Sequence, residues 1–349
     1  MKTINMPLRA YRGTYYDIGR QQGREWKDTL IEKVHWKRRE KSTRRYSIDF
    51  NDTKQLLNRY SSGIWDELEG ISEELKWPLY DVVHEYSGYQ GDRVRAGCSA
   101  LMVNGIYARN YDYFPKTYEG RMMMHQPDHG FATFGFSQRM VGRTDGMNEH
   151  GLSIGYHFVH RIKPEEGFVC SNICRMVLEN CRNTDEAVQF LKQVPHRHSF
   201  NYSMYDAGGR RAVVEASPRK LAVRQEDDFW CTNHFITEHL QKENRHFLKD
   251  SYRREEIFKS MDLSGKQLLD LFYLFNHDGQ GIYTNDYRNW SGTIHTAVYE
   301  PASLSIYVGI GGNRPPVKIP FREFLNRERI YIKTIKGKMD TDLDFPFNW

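Results

Sequence analysis

A cysteine, an arginine and an aspartate are spaced so that one β-hairpin would bring them together. Asn104-Gly105 separates an apolar run that begins at Cys98 from a second run that ends at Asp112. Asn-Gly between apolar runs is the strongest short-range hairpin signal, because both residues tolerate positive φ. Since side chains alternate between the faces of a strand, a two-residue loop puts Cys98 and Arg109 on one face as diagonal neighbours. It also puts Asp112 opposite Gly97, beside the peptide bond that precedes Cys98.

This grouping suits a nucleophile at a chain N-terminus. If the bond between Gly97 and Cys98 is cut, the α-amine that Cys98 gains has an intrinsic pKa of about 7.7–8.0 and can accept the thiol proton. Arg109 would stabilise the thiolate, and Asp112 would hold the amine by charge-assisted hydrogen bonds. Because Gly97 has no side chain, the thiol could approach its carbonyl for an N-to-S acyl shift. The alternative is that Cys98 is an ordinary buried strand cysteine and Arg109 an ordinary surface cation.

The residues before Cys98 favour helices. Apolar residues recur every three or four positions from Leu57 to Leu75, which predicts a helix with Asp52 as its N-cap. A second helix is predicted from Tyr16 to Arg39. Gly19 and Gly23 within it indicate either two weak points or a flat face at which another backbone comes close.

From Cys98 onward, hairpin-linked strands alternate with helices. This order favours antiparallel sheets covered by helices over a parallel βαβ fold, so we expect an α+β fold. The sequence contains no internal repeat, low-complexity tract or linker-like stretch. We therefore expect residues 1–97 to form a helical N-terminal segment, a propeptide or small chain packed on the core, and residues 98–349 to form that core.

Composition excludes several classes of protein. The 349 residues carry 50 Lys and Arg against 45 Asp and Glu, a net charge of +5 that is too balanced to indicate nucleic-acid binding by itself. The mean hydropathy of −0.74 and the absence of a long apolar run exclude an integral membrane protein. The first ten residues have no apolar signal region, and five cysteines do not form a disulfide framework. We therefore expect a cytoplasmic protein.

Three other features have ordinary explanations. Cys170, Cys174 and Cys181 fit one apolar helix face better than a zinc site, so no metal or other cofactor is predicted. The basic run 36–45 fits a solvated helix face, with an anionic partner such as a coenzyme A phosphate as the alternative. Residues 122–124, all methionine, and the phenylalanines between 131 and 136 could line an acyl pocket, but ordinary core packing is favoured.

The segment "GCSALMVNGIYARNYDYF", residues 97–114, resembles the start of mature cysteine Ntn hydrolases. It is similar to the acyl-CoA:6-aminopenicillanic acid acyltransferase family and its relatives, the choloylglycine and penicillin V hydrolases. Those families place Arg-Asn-x-Asp on the strand that returns after the cysteine, as residues 109–112 do here. Further similar motifs follow in the family's order. They are "RGTYYDIGRQQG" (12–23), "DGMNEHGLSIG" (145–155), "AVVEAS" (212–217) with "CTNHF" (231–235), "DSYRREEIF" (250–258) and the late hairpin 292–311.

The resemblance implies an Ntn-hydrolase four-layer αββα sandwich of two antiparallel sheets. It also implies that Asn233 supplies the oxyanion hole and that Arg254 is an active-site arginine. Bile-salt hydrolases place a second oxyanion-hole asparagine near the position of His157, so the second donor here is either His157 or a backbone N–H. Asn148 is a weaker oxyanion candidate, since it fits a turn closed with Gly151.

The predicted activity is that of a self-processing N-terminal-cysteine amidohydrolase or acyltransferase. It would cleave linear amide bonds through an acyl-thioester, with N-acyl amides, acyl-CoA or β-lactam side chains as substrates. The alternative is an unprocessed, non-catalytic small-molecule-binding protein on the same scaffold. Neither nucleic acid nor membrane is expected as a partner, and the sequence leaves open a homo-oligomer.

Overall fold

The computed structural model describes residues 1–92, 97–159, 163–225 and 229–345. The helices in these ranges begin with four that precede Cys98, and the remaining six are distributed along the rest of the chain. They are α1 (Tyr15–Trp26), α2 (Leu30–Ser42), α3 (Phe50–Leu75), α4 (Leu79–Tyr86), α5 (Cys170–Asn180), α6 (Thr184–Gln193), α7 (Glu238–Gln241), α8 (Lys249–Ser260), α9 (Leu268–Asn276) and α10 (Phe321–Leu325).

The strands form two sheets. They are β1 (Lys2–Gly13), β2 (Gly97–Val103), β3 (Ile106–Tyr113), β4 (Met122–Pro127), β5 (Thr133–Gln138), β6 (Gly142–Asn148), β7 (Ser153–Phe158), β8 (Phe200–Tyr205), β9 (Arg211–Ala216), β10 (Leu221–Gln225), β11 (Trp230–Cys231), β12 (Asn285–Asp286), β13 (Ser291–Glu300), β14 (Ser305–Ile310), β15 (Val317–Ile319) and β16 (Thr334–Met339). Over the described residues, one sheet has the order β10-β9-β8-β7-β6-β5-β4-β1-β16 and the other β11-β2-β3-β13-β14-β15, with β12 beside β13.

The two sheets lie face to face, and helices cover their outer faces. β2 and β3 of the smaller sheet contact β7 and β8 of the larger one. α5 and α6 pack on the larger sheet, whereas α8 and α9 pack on the smaller. The predicted α+β class and four-layer αββα arrangement are therefore confirmed. The apolar residues of both inner faces form one continuous core between the sheets.

The N-terminal segment differs from the prediction in two ways. It begins with a strand, β1, which lies inside the larger sheet between β16 and β4 and runs parallel to β4, so that sheet is not purely antiparallel. The predicted helix 16–39 is two helices, α1 and α2. The break occurs at Asp28, whose φ is +64°, and the Thr29 side chain then accepts a hydrogen bond from the Glu32 amide as a new N-cap.

Glycines bring α1 and α3 into backbone contact. A methyl group at Gly19 would overlap the carbonyl oxygen of Glu67, and one at Gly70 would overlap the carbonyl oxygen of Tyr16. The flat-face interpretation of Gly19 is therefore correct. The close approach carries Glu67 into the interior, where its carboxylate lies 2.6 Å from Arg175 of α5. The segment before Cys98 is thus joined to the rest of the protein by both a strand and a buried ion pair.

We expect Gly19→Ala to destabilise the protein, because the backbone of α3 must move to admit the methyl group. Overpacking of this kind costs about 1–3 kcal/mol in the free energy of unfolding. Urea denaturation would measure the change, with Arg24→Ala on the exposed side of α1 as the matched control. An unchanged urea midpoint for Gly19→Ala would contradict the backbone contact.

Candidate active site

The hairpin of β2 and β3 brings the predicted nucleophile and its two partners together. Across Asn104-Gly105, both of which have positive φ, Cys98 pairs with Tyr111 and Gly97 pairs with Asp112. The Cys98 side chain lies on the face of the sheet that Arg109 and Tyr111 share, which is the face directed at the larger sheet. Asp112 lies on the opposite face, against α8 and β13.

The Cys98 thiol is buried in the intact chain. Its residue has 0% exposure, and burial raises the pKa of the thiol to about 12, against the opposing effect of Arg109. A protonated thiol is a poor nucleophile. The resting Cys98 thiol is therefore protonated.

Arg109 is a buried cation held in place by the larger sheet. It donates to the Thr144 carbonyl at 3.0 Å and to the Tyr156 carbonyl at 3.2 Å, and it lies 3.9 Å from the Asp145 carboxylate. Burial opposes the charge of Asp145, but Arg109 and His295 outweigh it and hold the pKa of that carboxyl below its usual range. The alternative that Arg109 is an ordinary surface cation is therefore wrong, because the residue is fully buried.

Asp112 is a buried carboxylate with one unsatisfied oxygen. Its Oδ1 accepts a hydrogen bond from Thr293 at 2.8 Å, whereas Oδ2 has no hydrogen-bond partner among the described residues. A Cβ built on Gly97 would lie 3.3 Å from that Oδ2. Burial raises the pKa of Asp112 to about 7, against the opposing effect of Arg254. A proton acceptor thus lies beside the peptide bond between Gly97 and Cys98. Arg254 Nη1 lies 4.0 Å from its Oδ2, but no described residue donates a hydrogen bond to that oxygen.

Arg254 and Asn233 hold the backbone around Cys98. Arg254 donates to the Cys98 carbonyl at 2.8 Å, to Ser99 Oγ at 2.6 Å and to Asn233 Oδ1 at 3.0 Å, while its Nε binds Asp250. Asn233 Oδ1 also accepts the Cys98 N–H at 2.9 Å. Both residues predicted from the resemblance therefore contact Cys98 directly.

Asn233 is held by a series of polar contacts that runs through Ser251 and His234 to Glu255. Its backbone N–H donates to Ser251 Oγ at 2.8 Å, Ser251 Oγ lies 2.8 Å from His234 Nδ1, and His234 Nε2 lies 2.9 Å from Glu255. Ser251, His234 and Glu255 lie within the family-like motifs "CTNHF" and "DSYRREEIF", but the sequence alone predicted no role for them. The adjacency of His234 to Asn233 in "CTNHF" was the signal available.

His157 lies beside Cys98 with one ring nitrogen unused. Nε2 pairs with Ser203 Oγ at 2.7 Å, and Nδ1 has no hydrogen-bond partner among the described residues. Burial and Arg109 lower the pKa of His157 well below its ordinary value, so the ring is neutral. A neutral imidazole has one N–H to donate.

Asn148 is not brought to the site. Its amide nitrogen donates to the carbonyls of Leu178 and Cys181, and its oxygen accepts from the amides of His150 and Leu152. With those bonds made, the side chain has no capacity left for an oxyanion. It clamps the turn between β6 and β7 instead.

The remaining candidates lie in the core. The three cysteines of the α5 region and the three consecutive methionines of β4 are buried among apolar residues. Within the described part of the chain, no group of three or more His, Cys, Asp or Glu is arranged to hold a metal ion. No helix there is long and apolar enough to cross a membrane.

The family model of the Acyl-coenzyme A:6-aminopenicillanic acid acyl-transferases matches residues 101–315, well over half of the chain. The protein belongs to this family. Its matched region starts just after Cys98 and contains Arg109, Asp112, Asn233 and Arg254. Family membership makes the protein an enzyme, a cysteine-type Ntn hydrolase or acyltransferase that acts on linear amides.

Comparison with curated proteins gave no match. Among solved structures, penicillin V acylase from Agrobacterium tumefaciens is 17% identical, with a TM-score of 0.44 over 64% of this chain and 84% of that one. A variant of conjugated bile acid hydrolase from Clostridium perfringens is 14% identical, with a TM-score of 0.45 over 72% and 99%. The Caenorhabditis elegans ortholog of N-acylethanolamine-hydrolyzing acid amidase is 12% identical, with a TM-score of 0.38 over 60% and 93%. These likenesses are too distant to support a functional argument.

We expect Arg254→Lys to lower kcat by about tenfold or more, because an ammonium cannot reproduce the planar fork that binds three oxygens at once. Arg253→Lys is the matched control, since Arg253 is an exposed neighbour that contacts Asp250 but not Cys98. Steady-state kinetics on a chromogenic N-acyl amide would compare the two variants. Equal kcat values for both would contradict the role of Arg254.

The raised pKa of Asp112 predicts a pH dependence of stability in the intact chain. The folded state binds the Asp112 proton more tightly than the unfolded state, so this stabilisation is present below about pH 4 and is lost as the pH rises to about 7. Asp112→Asn in a Cys98→Ala background removes this dependence. Urea denaturation at pH 5 and pH 7 should therefore show a smaller loss of stability for the double variant, with exposed Asp185→Asn as the control. Identical pH slopes would rule out a neutral buried Asp112.

Proposed function

We propose that the intact chain is the precursor of an N-terminal-cysteine amidase, and that it processes itself at the bond between Gly97 and Cys98. The observation that carries this proposal is the buried Asp112 Oδ2, which lies against Gly97, has Arg254 Nη1 at 4.0 Å, and accepts no hydrogen bond from the described residues. Leaving a buried carboxylate oxygen unsatisfied is costly. An α-ammonium released at Cys98 would satisfy it, so cleavage supplies the missing donor.

Cleavage would follow an N-to-S acyl shift. The Cys98 sulfur adds to the Gly97 carbonyl carbon, the C–N bond breaks, and the Cys98 nitrogen takes up the thiol proton as a free α-amine. Water then hydrolyses the thioester, which returns the thiol and leaves a carboxylate on Gly97. Arg254, bound to the Cys98 carbonyl, holds the residue in place during this exchange.

The processed enzyme would use the same residues on a substrate amide. The α-amine takes the thiol proton, the sulfur attacks the amide carbonyl, and the amine leaving group departs with that proton. The acyl-thioester is then resolved by water or by an acceptor amine. Asn233 and the N–H of neutral His157 are our candidates for the oxyanion donors, each worth a few kcal/mol in a dry site.

The mass of the purified protein tests the proposal. We expect fragments of about 11–12 and 30 kDa, the second beginning Cys-Ser-Ala-Leu-Met. Cys98→Ala should remain one chain and lack amidase activity, whereas Cys231→Ala, which removes another buried cysteine on the neighbouring strand, should still be cleaved. A wild-type protein that stays intact, with Cys98 unreactive to iodoacetamide, would favour a non-catalytic binding protein instead.

A further inference from the structure

A polar cleft of about 460 Å³ lies beside the candidate active site. Its wall includes Tyr113, whose ring stacks on Tyr111 at 5.4 Å between centroids. Tyr111 is the residue that pairs with Cys98 across the hairpin. Tyr113 lies two residues after Tyr111 on β3, so its side chain is on the same face of the sheet as the Cys98 sulfur. The cleft therefore opens on that face.

The cleft presents one arginine without a balancing acid. Arg38 is paired with Glu85, and Arg45 lies 2.8 Å from Asp92. Arg139, in contrast, donates to the Asp92 backbone carbonyl at 3.1 Å and has no carboxylate partner among the described residues. The residue as a whole is 9% exposed, and it lines the cleft. A guanidinium that opens onto a cleft and has no carboxylate partner can donate to an anion bound there.

Arg139 lies in the turn between β5 and β6, where the backbone adopts an uncommon conformation. Arg139 and the next residue, Met140, have φ of +50° and +65°, in a region that non-glycine residues rarely occupy. The turn is fixed by the Met140 amide, which donates to both carboxylate oxygens of the buried Glu119 at 2.9 and 3.0 Å. Such strain concentrates at ligand sites.

A second polar group in the cleft lacks a partner. Gln138 is 3% exposed and lines the cleft, and its side-chain oxygen has no hydrogen-bond partner in the described part of the chain. Next to these polar groups, Trp290 packs edge-on against Tyr113 at 5.5 Å. The cleft therefore combines an arginine, an amide and two aromatic rings.

We infer that this cleft is a substrate subsite for an anionic oxygen group, a carboxylate or a phosphate, carried next to an apolar ring. Arg139 binds the anion with its planar fork, Gln138 accepts a hydrogen bond from the adjoining part of the ligand, and Trp290 with Tyr113 packs against the ring. As a substrate assignment, the inference rests on the proposed function. It narrows the substrates to N-acyl amides that carry an acid on either the acyl half or the amine half.

Binding to the intact Cys98→Ala protein tests the subsite without any turnover. Benzoate, phenyl phosphate and neutral benzamide would be titrated by calorimetry and by tryptophan fluorescence. We expect at least one of the two anions to bind at least about tenfold more tightly than benzamide. Arg139→Gln, which keeps a polar side chain but removes the positive charge, should remove that preference, whereas exposed Arg182→Gln should retain it. Trp290→Phe should abolish the change in tryptophan fluorescence on binding but leave the heat of binding measured by calorimetry.

Two results would contradict the subsite. One is equal affinity for the anions and benzamide, and the other is a preference for the anions that persists in Arg139→Gln.

Kinetics of the processed enzyme then assign the acid to one half of the substrate. Three matched N-acyl amides would be compared: a neutral one, one with a carboxylate on the acyl half, and one with a carboxylate on the amine half. We expect Arg139→Gln to lower the ratio of kcat/KM for one acid-bearing substrate over the neutral one by about tenfold. If benzoate binding depends on Arg139 but no amide is hydrolysed, the subsite stands and the proposed function fails. If neutral amides are hydrolysed but neither acid-bearing ratio changes, the function stands and the subsite fails.

Discussion

The register between β2 and β3 is the constraint on which the site depends. Because the side-chain period of a strand is two, a slip of one residue would move Cys98 to the face directed at α8 and would carry its thiol away from Arg109. The Asn104-Gly105 turn prevents that slip, since its two positive φ values fit a two-residue loop. The turn is further held by Asn104, whose amide binds the carbonyls of Leu263 and Lys266. One short turn thus fixes which groups surround the sulfur.

Burial favours the neutral forms of the Cys98 thiol and the Asp112 carboxyl. Removing Cys98 and Asp112 from water favours the neutral form of both, so the thiol keeps its proton and the carboxyl tends to acquire one. Arg109 and Arg254 oppose this effect but do not overcome it. Opening the peptide bond before Cys98 would add a cation to the same enclosed space, which favours the charged form of both groups. Cleavage of this bond would therefore make the thiol a stronger nucleophile than it is in the intact chain.

Local signals predicted the hairpin and most of the later strands, whereas long-range pairing was not accessible from the sequence. β1 was missed because its neighbours, β4 and β16, lie about 110 and 320 residues further along the chain, and its apolar pattern is interrupted by Pro7. The α3 N-cap is Asp49 instead of Asp52, because two aspartates three residues apart both suit that position. Asn233 and Arg254 were found through family resemblance alone, since the tertiary fold brings them to Cys98 across more than 130 residues.

The position of β1 also constrains what cleavage can do. A propeptide that only covers a site can leave once it is cut, but β1 hydrogen-bonds to a strand on each side within the larger sheet. Removal of the whole segment before Cys98 would expose the edges of β4 and β16 and would leave Arg175 without Glu67 of α3, one of its two buried carboxylate partners. Each of these losses is costly in a closely packed interior. The segment before Cys98 would therefore remain as a structural chain, and access to the thiol would have to come from local rearrangement near the new chain ends.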